Sequence, residues 1–131
     1  MFTTIITPRF GDIDALGHVN NIVSAGWFEL ARNHIIKIFN PAMEIKRETF
    51  PLVLVHSDYD FMGQLYFNYD VEVRTWITKI GTKSFTVYHE ARQQDRLCVK
   101  GSVVVVCYDF VAEKSIPIPE DKKLLLAEHL I

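Results

Sequence analysis

The chain has 131 residues, 49% of them hydrophobic and 23% charged, and its 14 Lys and Arg against 16 Asp and Glu leave a net charge of −2. A chain of this length can bury a real core without disulfides or metals. Charge this close to neutral, and scattered, excludes the basic footprint of a general nucleic-acid or anionic-membrane binder.

Residues 2–7 are rich in β-formers and stop at Pro8, so they read as a strand. Arg9 to Asn21 then holds Gly11, Asp12, Asp14, Gly17, Asn20 and Asn21, a density of turn formers that predicts a structured loop. From Ile22 to Phe39 apolar residues cover most of the helical circumference, with Glu29, Asn33 and Lys37 as the polar stripe. This predicts one long, mostly buried helix. Asn20 or Asn21 serves as its N-cap, and Asn40-Pro41 stops it. After an ill-defined link to Phe50-Pro51, strands are predicted at Leu52 to Phe61, Asp70 to Thr78, Ser84 to Gln93 and Leu97 to Phe110. Turns at residues 80–83 and 94–96 separate the last three. Val103 to Val106 are apolar at both parities, which predicts cover on both faces. Gly101 marks a close approach by the helix or a ligand. Residues 119–131 read as a short amphipathic helix starting near Glu120 and Asp121, with Leu124, Leu125 and Leu130 as its apolar contacts.

A lone apolar helix can be buried only by a sheet that curls around it, so the predicted fold is α+β, an antiparallel sheet wrapped on one long helix, in a single domain spanning 1–131. Cys98 and Cys107 fall on one strand roughly 30 Å apart at about 3.3 Å per residue. They cannot bridge within the chain, because a disulfide needs Cα atoms within about 7 Å. With no signal-peptide pattern and no apolar run of the ~20 residues that a membrane span needs, a reduced, cytoplasmic protein is expected.

Polar chemistry concentrates in the loop. Asp12, Asp14 and His18 lie just ahead of a helix N-terminus, whose free N–H groups and partial positive charge suit a developing oxyanion while a carboxylate attacks or activates water. On local chemistry alone the same residues also fit a structural reading, with Asp12 and Asp14 closing Asx turns and Asn21 capping the helix. The five histidines show no metal-ligand spacing.

The run Arg9-Phe10-x-Asp12-x-Asp14-x-x-Gly17-His18-Val19-Asn20-Asn21, followed by Trp27-Phe28-Glu29-x-Ala31-Arg32, resembles the signature of hotdog-fold thioesterases of the 4-hydroxybenzoyl-CoA thioesterase type. Asp58-Tyr59-Asp60-Phe61, Asp70-Val71-Glu72-Val73, Ile80-Gly81-x-x-Ser84-Phe85, Gly101, Asp109 and Ile116-Pro117-x-Pro119 extend the likeness along nearly the whole chain. The resemblance implies a hotdog fold and hydrolysis of an acyl thioester, usually of coenzyme A; no cofactor or metal is expected. It makes Asp14 the nucleophile or general base, and the backbone N–H of Asn21 the oxyanion donor. Asp12 is either a participant or a loop organiser paired with Arg9, and His18 either orients Asp14 or ties the loop together. Thr82, Lys83 and Ser84 correspond to the segment that meets CoA. Trp27, Phe28, Tyr59 and Phe61 are acyl-pocket candidates that could equally be core.

Ser24, Ala25 and Gly26 depart from the family's bulkier residues, which would widen the acyl pocket. The family's homodimers or homotetramers imply that Asp14 of one chain faces the Thr82-Lys83-Ser84 turn of another. Acyl carrier protein is a possible alternative donor. Two competing readings are a non-catalytic acyl-thioester binding protein and a hotdog hydratase or dehydratase; against the latter, Asp14 and His18 are four apart with no Asn-Pro between them.

Overall fold

Strict alternation of buried and half-buried residues makes β3 (Val71–Ile80) and β4 (Ser84–Gln93) the centre of the sheet. Val71, Val73, Thr75 and Ile77, with Phe85, Val87, His89 and Ala91, all point inward. The computed structural model describes residues 1–48 and 50–131; Thr49, in the link ahead of Phe50, lies outside them. β5 (Arg96–Asp109) pairs with β4, and β2 (Leu52–Phe61) pairs with β5. β1 (Phe2–Ile6) closes the other side against β3, so the antiparallel order is β1-β3-β4-β5-β2. A two-residue strand, β6 (Lys114–Ser115), adds to the end of β5.

Register shifts between Leu54 and His56 and between Ile77 and Lys79 each insert an extra residue. Such bulges bend and twist a strand, and here they contribute to the curl that wraps the sheet around the helical segment. This is the hotdog arrangement. Phe28 and Phe85 are completely buried in that concavity, each stabilising the fold by about 1.5–3 kcal/mol.

The helical segment differs from the single long helix expected. It is two helices, α1 (Asn21–Ala31) and α2 (Asn33–Phe39), joined at Arg32. There the backbone stays right-handed, and the Arg32 N–H is shared between the carbonyls of Phe28 and Glu29, a local tightening typical of helix ends. Nor is the segment mostly buried, because the sheet covers one side only: Trp27, Phe28, Ala31 and Ile35 face the core while Ile22 and Leu30 are exposed.

Val103 and Val105 are buried, whereas Val104 and Val106, of the opposite parity, are only half-buried, so cover on both faces is incomplete. α3 (Glu120–Ala127) forms where expected but docks through Leu126, not Leu124, Leu125 or Leu130, all of which are exposed. Leu126 is the leucine turned onto Ile77 and Ile35, and the main chain beyond it is tied to Ile77 at both sides, His129 O accepting from Ile77 N and Ile131 N donating to Ile77 O. Gly101 marks a close approach by the main chain of β2, not by the helix backbone or a ligand as expected. A Cβ there would sit 2.6 Å from the Asp58 carbonyl oxygen, 2.9 Å from the Tyr59 ring and 3.2 Å from that of Phe28.

Candidate active site

Residues 9–21 fold into a small hairpin docked on the start of α1. A single 3-10 turn, Phe10–Asp12, opens it, and an antiparallel bridge joins Ile13 to Val19. Asn20 N–H donates to Asp12 O at 2.9 Å and Asp14 N–H to His18 O at 2.8 Å, while Gly17 turns the chain at φ 79°. That left-handed conformation carries little cost only for glycine. The hairpin rests on the 65–69 segment: Val19 N–H donates to Leu65 O at 2.8 Å, and His18 bridges to Tyr66. Gln93, buried at the end of β4, fixes that segment through bonds to both main-chain groups of Tyr66 and to the Tyr69 carbonyl.

Within the loop the two carboxylates have different surroundings. Asp12 is 3% exposed, and both its oxygens are taken by Arg9: Oδ2 accepts the Arg9 main-chain N–H at 2.7 Å and Oδ1 the guanidinium at 3.3 Å. The Arg9 side chain is solvent-exposed, so that ion pair is worth little, and the carboxylate acts chiefly to close the turn. Asp14 is half-exposed. Its Oδ1 accepts the N–H groups of Leu16 at 2.9 Å and His18 at 3.3 Å, while Oδ2 takes no hydrogen bond among the described residues. The carboxylate is thus held by one oxygen and presents the other. His18 contributes to this hold through its main chain, and its ring packs edge-on against Tyr66 at 5.5 Å.

α1 begins where the hairpin ends. Asn20 is the N-cap, its Oδ1 accepting from Ile22 N–H at 2.9 Å. Asn21, the first helical residue, is exposed, and its N–H meets no acceptor among the described residues. An unpaired N–H on the positive end of a helix, with a carboxylate oriented by main-chain bonds on the loop that leads into it, supplies the two kinds of group that polarise a carbonyl and attack it or take a proton from water.

Of the other expected site residues, Trp27, Phe28 and Tyr59 share a core cluster with Ile13 and Val19 of this loop, and the turn at 82–84 lies apart from it. Thr82, Lys83 and Ser84 form the β3–β4 turn; the Thr82 and Lys83 carbonyls accept from Ile118 and Cys107, and the Lys83 side chain is exposed. That turn starts β4, whereas Gln93 beneath the loop ends it, a span of about 30 Å at ~3.4 Å per residue. One chain does not bring Asp14 and Lys83 together. Trp27 and Phe28 are in the core; Tyr59 is half-buried, stacked between Phe28 at 6.0 Å and Phe61 at 6.3 Å, and Phe61 is exposed. Gly26 opens onto free space, where a Cβ would touch nothing.

Three further polar residues escaped the sequence reading. Arg32, His89 and Thr75 form a buried chain, Arg32 Nη1 to His89 Nε2 at 3.5 Å and His89 Nδ1 to Thr75 Oγ1 at 2.9 Å. For His89 and Thr75 the signal was a polar residue on the apolar parity of its strand: His89, like Gln93, shares the parity of Phe85 and Val87, and Thr75 that of Val73 and Ile77. Burial, and then the nearby Arg32 charge, hold His89 at a pKa of about 3, so it is neutral. Among the described residues no cluster of three metal-ligating side chains occurs, and no helix is long and apolar enough to cross a membrane.

A curled sheet on a helix whose N-terminus carries a carboxylate loop places the chain among hotdog proteins. More narrowly, it belongs to the Thioesterase-like superfamily, whose family model matches residues 8–128. It is similar to a predicted thioesterase from Bacillus stearothermophilus, with 38% identity, a TM-score of 0.94 and coverage of 99% of this chain and 96% of that one. A gentisyl-coenzyme A thioesterase is 26% identical with a TM-score of 0.81, covering 96% and 99% of the two chains. A Thermus thermophilus thioesterase complexed with coenzyme A and Zn is 25% identical with a TM-score of 0.84, covering 96% and 91%.

Proposed function

We propose that the protein is an acyl-CoA thioesterase, a single hotdog domain of the 4-hydroxybenzoyl-CoA thioesterase branch working in the cytoplasm, with Asp14 as its catalytic carboxylate. The observation that carries this reading is the presence of two groups on one hairpin: an Asp14 oxygen and an Asn21 N–H, neither with a partner among the described residues. The thioester carbonyl oxygen accepts from Asn21 N–H, a contribution on the order of 3 kcal/mol for such a donor. Asp14 then either attacks the carbonyl carbon to form an anhydride that water opens, or takes a proton from the water that attacks. In both routes the C–S bond breaks and CoA leaves as the thiol, having gained a proton. Asp12 keeps the hairpin closed.

The relatives named for coenzyme A and gentisyl-coenzyme A support CoA as the carrier. The separation of Asp14 from Lys83 within one chain supports a site shared between subunits. β2 supplies the means, since it is a ten-residue outer strand carrying exposed Leu54, Val55 and Phe61, and an unpaired edge of that length invites pairing with a second copy. A homodimer, doubled or not to a tetramer, is therefore expected by light scattering; a stable, active monomer would refute the shared site.

Thiol release from an acyl-CoA panel tests the assignment of Asp14. Asparagine retains the Oδ1 acceptor that Leu16 and His18 use, so Asp14→Asn keeps the hairpin and removes only the charge. Turnover is expected to fall by about 10²–10⁴ with the melting temperature unchanged. Equal turnover in the two proteins would leave Asp14 as a turn residue, and no turnover in either would favour the non-catalytic binding reading.

A further inference from the structure

Arg32 is 8% exposed, yet no carboxylate lies within ion-pair distance of it among the described residues. Its side chain's one hydrogen bond among the described residues is the 3.5 Å contact with His89, a neutral ring that brings no charge. A guanidinium has five N–H donors, and a buried cation without a counter-charge is strongly destabilising. No nitrogen of this side chain is both sealed from solvent and unbonded, so the remaining donors open onto space. That space is a cavity of about 220 Å³ between the α1–α2 junction and the start of β2. Apart from Arg32 and the exposed Glu29 its walls are apolar: Ile35, Ile36, Phe50, Leu52, Leu54 and Val105. Glu29, one turn earlier on the helix, is near enough to favour the Arg32 charge but too far to pair with it. Tyr59 likewise lies near enough to favour the Arg32 charge without bonding to it.

We propose that this cavity binds a carboxylate carried on a small apolar body, with Arg32 as its counter-ion. The planar guanidinium fork matches a carboxylate in two parallel bonds. The volume equals about seven waters at ~30 Å³ each, on the order of a hexanoyl or benzoyl body. In the thioesterase reading, on which only the source of the ligand depends, that carboxylate is either the acid released at Asp14 or the distal group of a dicarboxylic acyl thioester.

Calorimetric titration of the full chain with hexanoate and benzoate, against hexanamide and benzamide, tests the site directly. The acids are expected to bind at least tenfold more tightly than the amides, and Arg32→Met to erase the difference. Ile36→Trp, which narrows the cavity without touching the guanidinium, should weaken acid binding at least tenfold even if the Arg32 variant fails to fold. Acids binding no better than amides, or unaffected by Ile36→Trp, would overturn the proposal. Two kinetic arms separate the sources. An adipoyl-CoA over hexanoyl-CoA preference of at least tenfold in kcat/KM, lost in Arg32→Met, assigns the carboxylate to substrate. Competitive inhibition by hexanoate without that preference assigns it to product. Acid binding with no hydrolysis of any thioester keeps this site and removes the thioesterase reading; hydrolysis with no acid binding does the reverse.

Discussion

The 9–21 hairpin and the chain from Arg32 through His89 to Thr75 are both polar, yet they are assembled in opposite ways. In the hairpin every side-chain bond spans two to four residues: Arg9 with Asp12, Asp14 with Leu16 and His18, Asn20 with Ile22. In the buried chain the partners are 57 and 14 residues apart and come from the helical segment, β4 and β3. The hairpin can hold its shape at the surface and still present an oxygen and an N–H without partners among the described residues. The buried chain has its shape imposed by the core and contributes stability only while that core excludes water and its protonation states stay fixed. Chemistry on the first should therefore be removable without unfolding, and perturbing the second should unfold the protein before it touches the loop.

The largest expected effect breaks the comparison at its first term: Asp14→Asn should cost about 10²–10⁴ in turnover with no change in the denaturation midpoint. The next tests the second term by pH. His89 takes up a proton near 6.5 in the unfolded chain and only near 3 in the folded one, so the unfolded state binds more protons between those values. Stability that is complete above pH 6.5 is then lost as pH falls through that window, by up to about 1.4 kcal/mol per unit. His89→Gln, which can accept from Arg32 and donate to Thr75, should flatten the slope of unfolding free energy against pH; an unchanged slope would assign acid sensitivity elsewhere. Gly101→Ala strikes the packing beside that chain, where the new methyl meets main chain. A loss of about 1–3 kcal/mol is expected, read as a lower urea midpoint at constant m value. Smallest is Asn20→Ala, which removes the α1 cap at about 1 kcal/mol and, because Asn21 N–H remains, should spare most of the turnover.

The same contrast accounts for what could be read from sequence. The loop was legible as a structured turn region because its bonds are local, so residue types and spacing carry them; an N-cap at Asn20 or Asn21 and the limits of β2 and β4 follow likewise from short-range pattern. The buried chain was written only as parity, a histidine and a threonine among inward aliphatics, and which residue meets them depends on how the sheet curls. The break at Arg32 had no signal, since no glycine or proline marks it. Three consecutive leucines at 124–126 leave the buried face of an eight-residue helix undetermined until β3 chooses Leu126. The exposure of Ile22, Leu30, Val104 and Val106 was equally hidden, because an apolar residue does not say whether its own chain or another will cover it.

Strand order also sets a sequence of events for folding. β3, β4 and β5 are successive hairpins joined by turns of three and two residues, so they can pair with little loop-closure entropy. β1 must find β3 and β2 must find β5 across long stretches, with the helices between β1 and β2 already laid on the sheet. Contacts of such separation form late and slow the reaction. We expect hydrogen exchange to protect the central meander most strongly and β1 and β2 least. The outer strand that a second copy would join is then also the last part of the chain to settle, and subunit pairing would complete folding as well as the site.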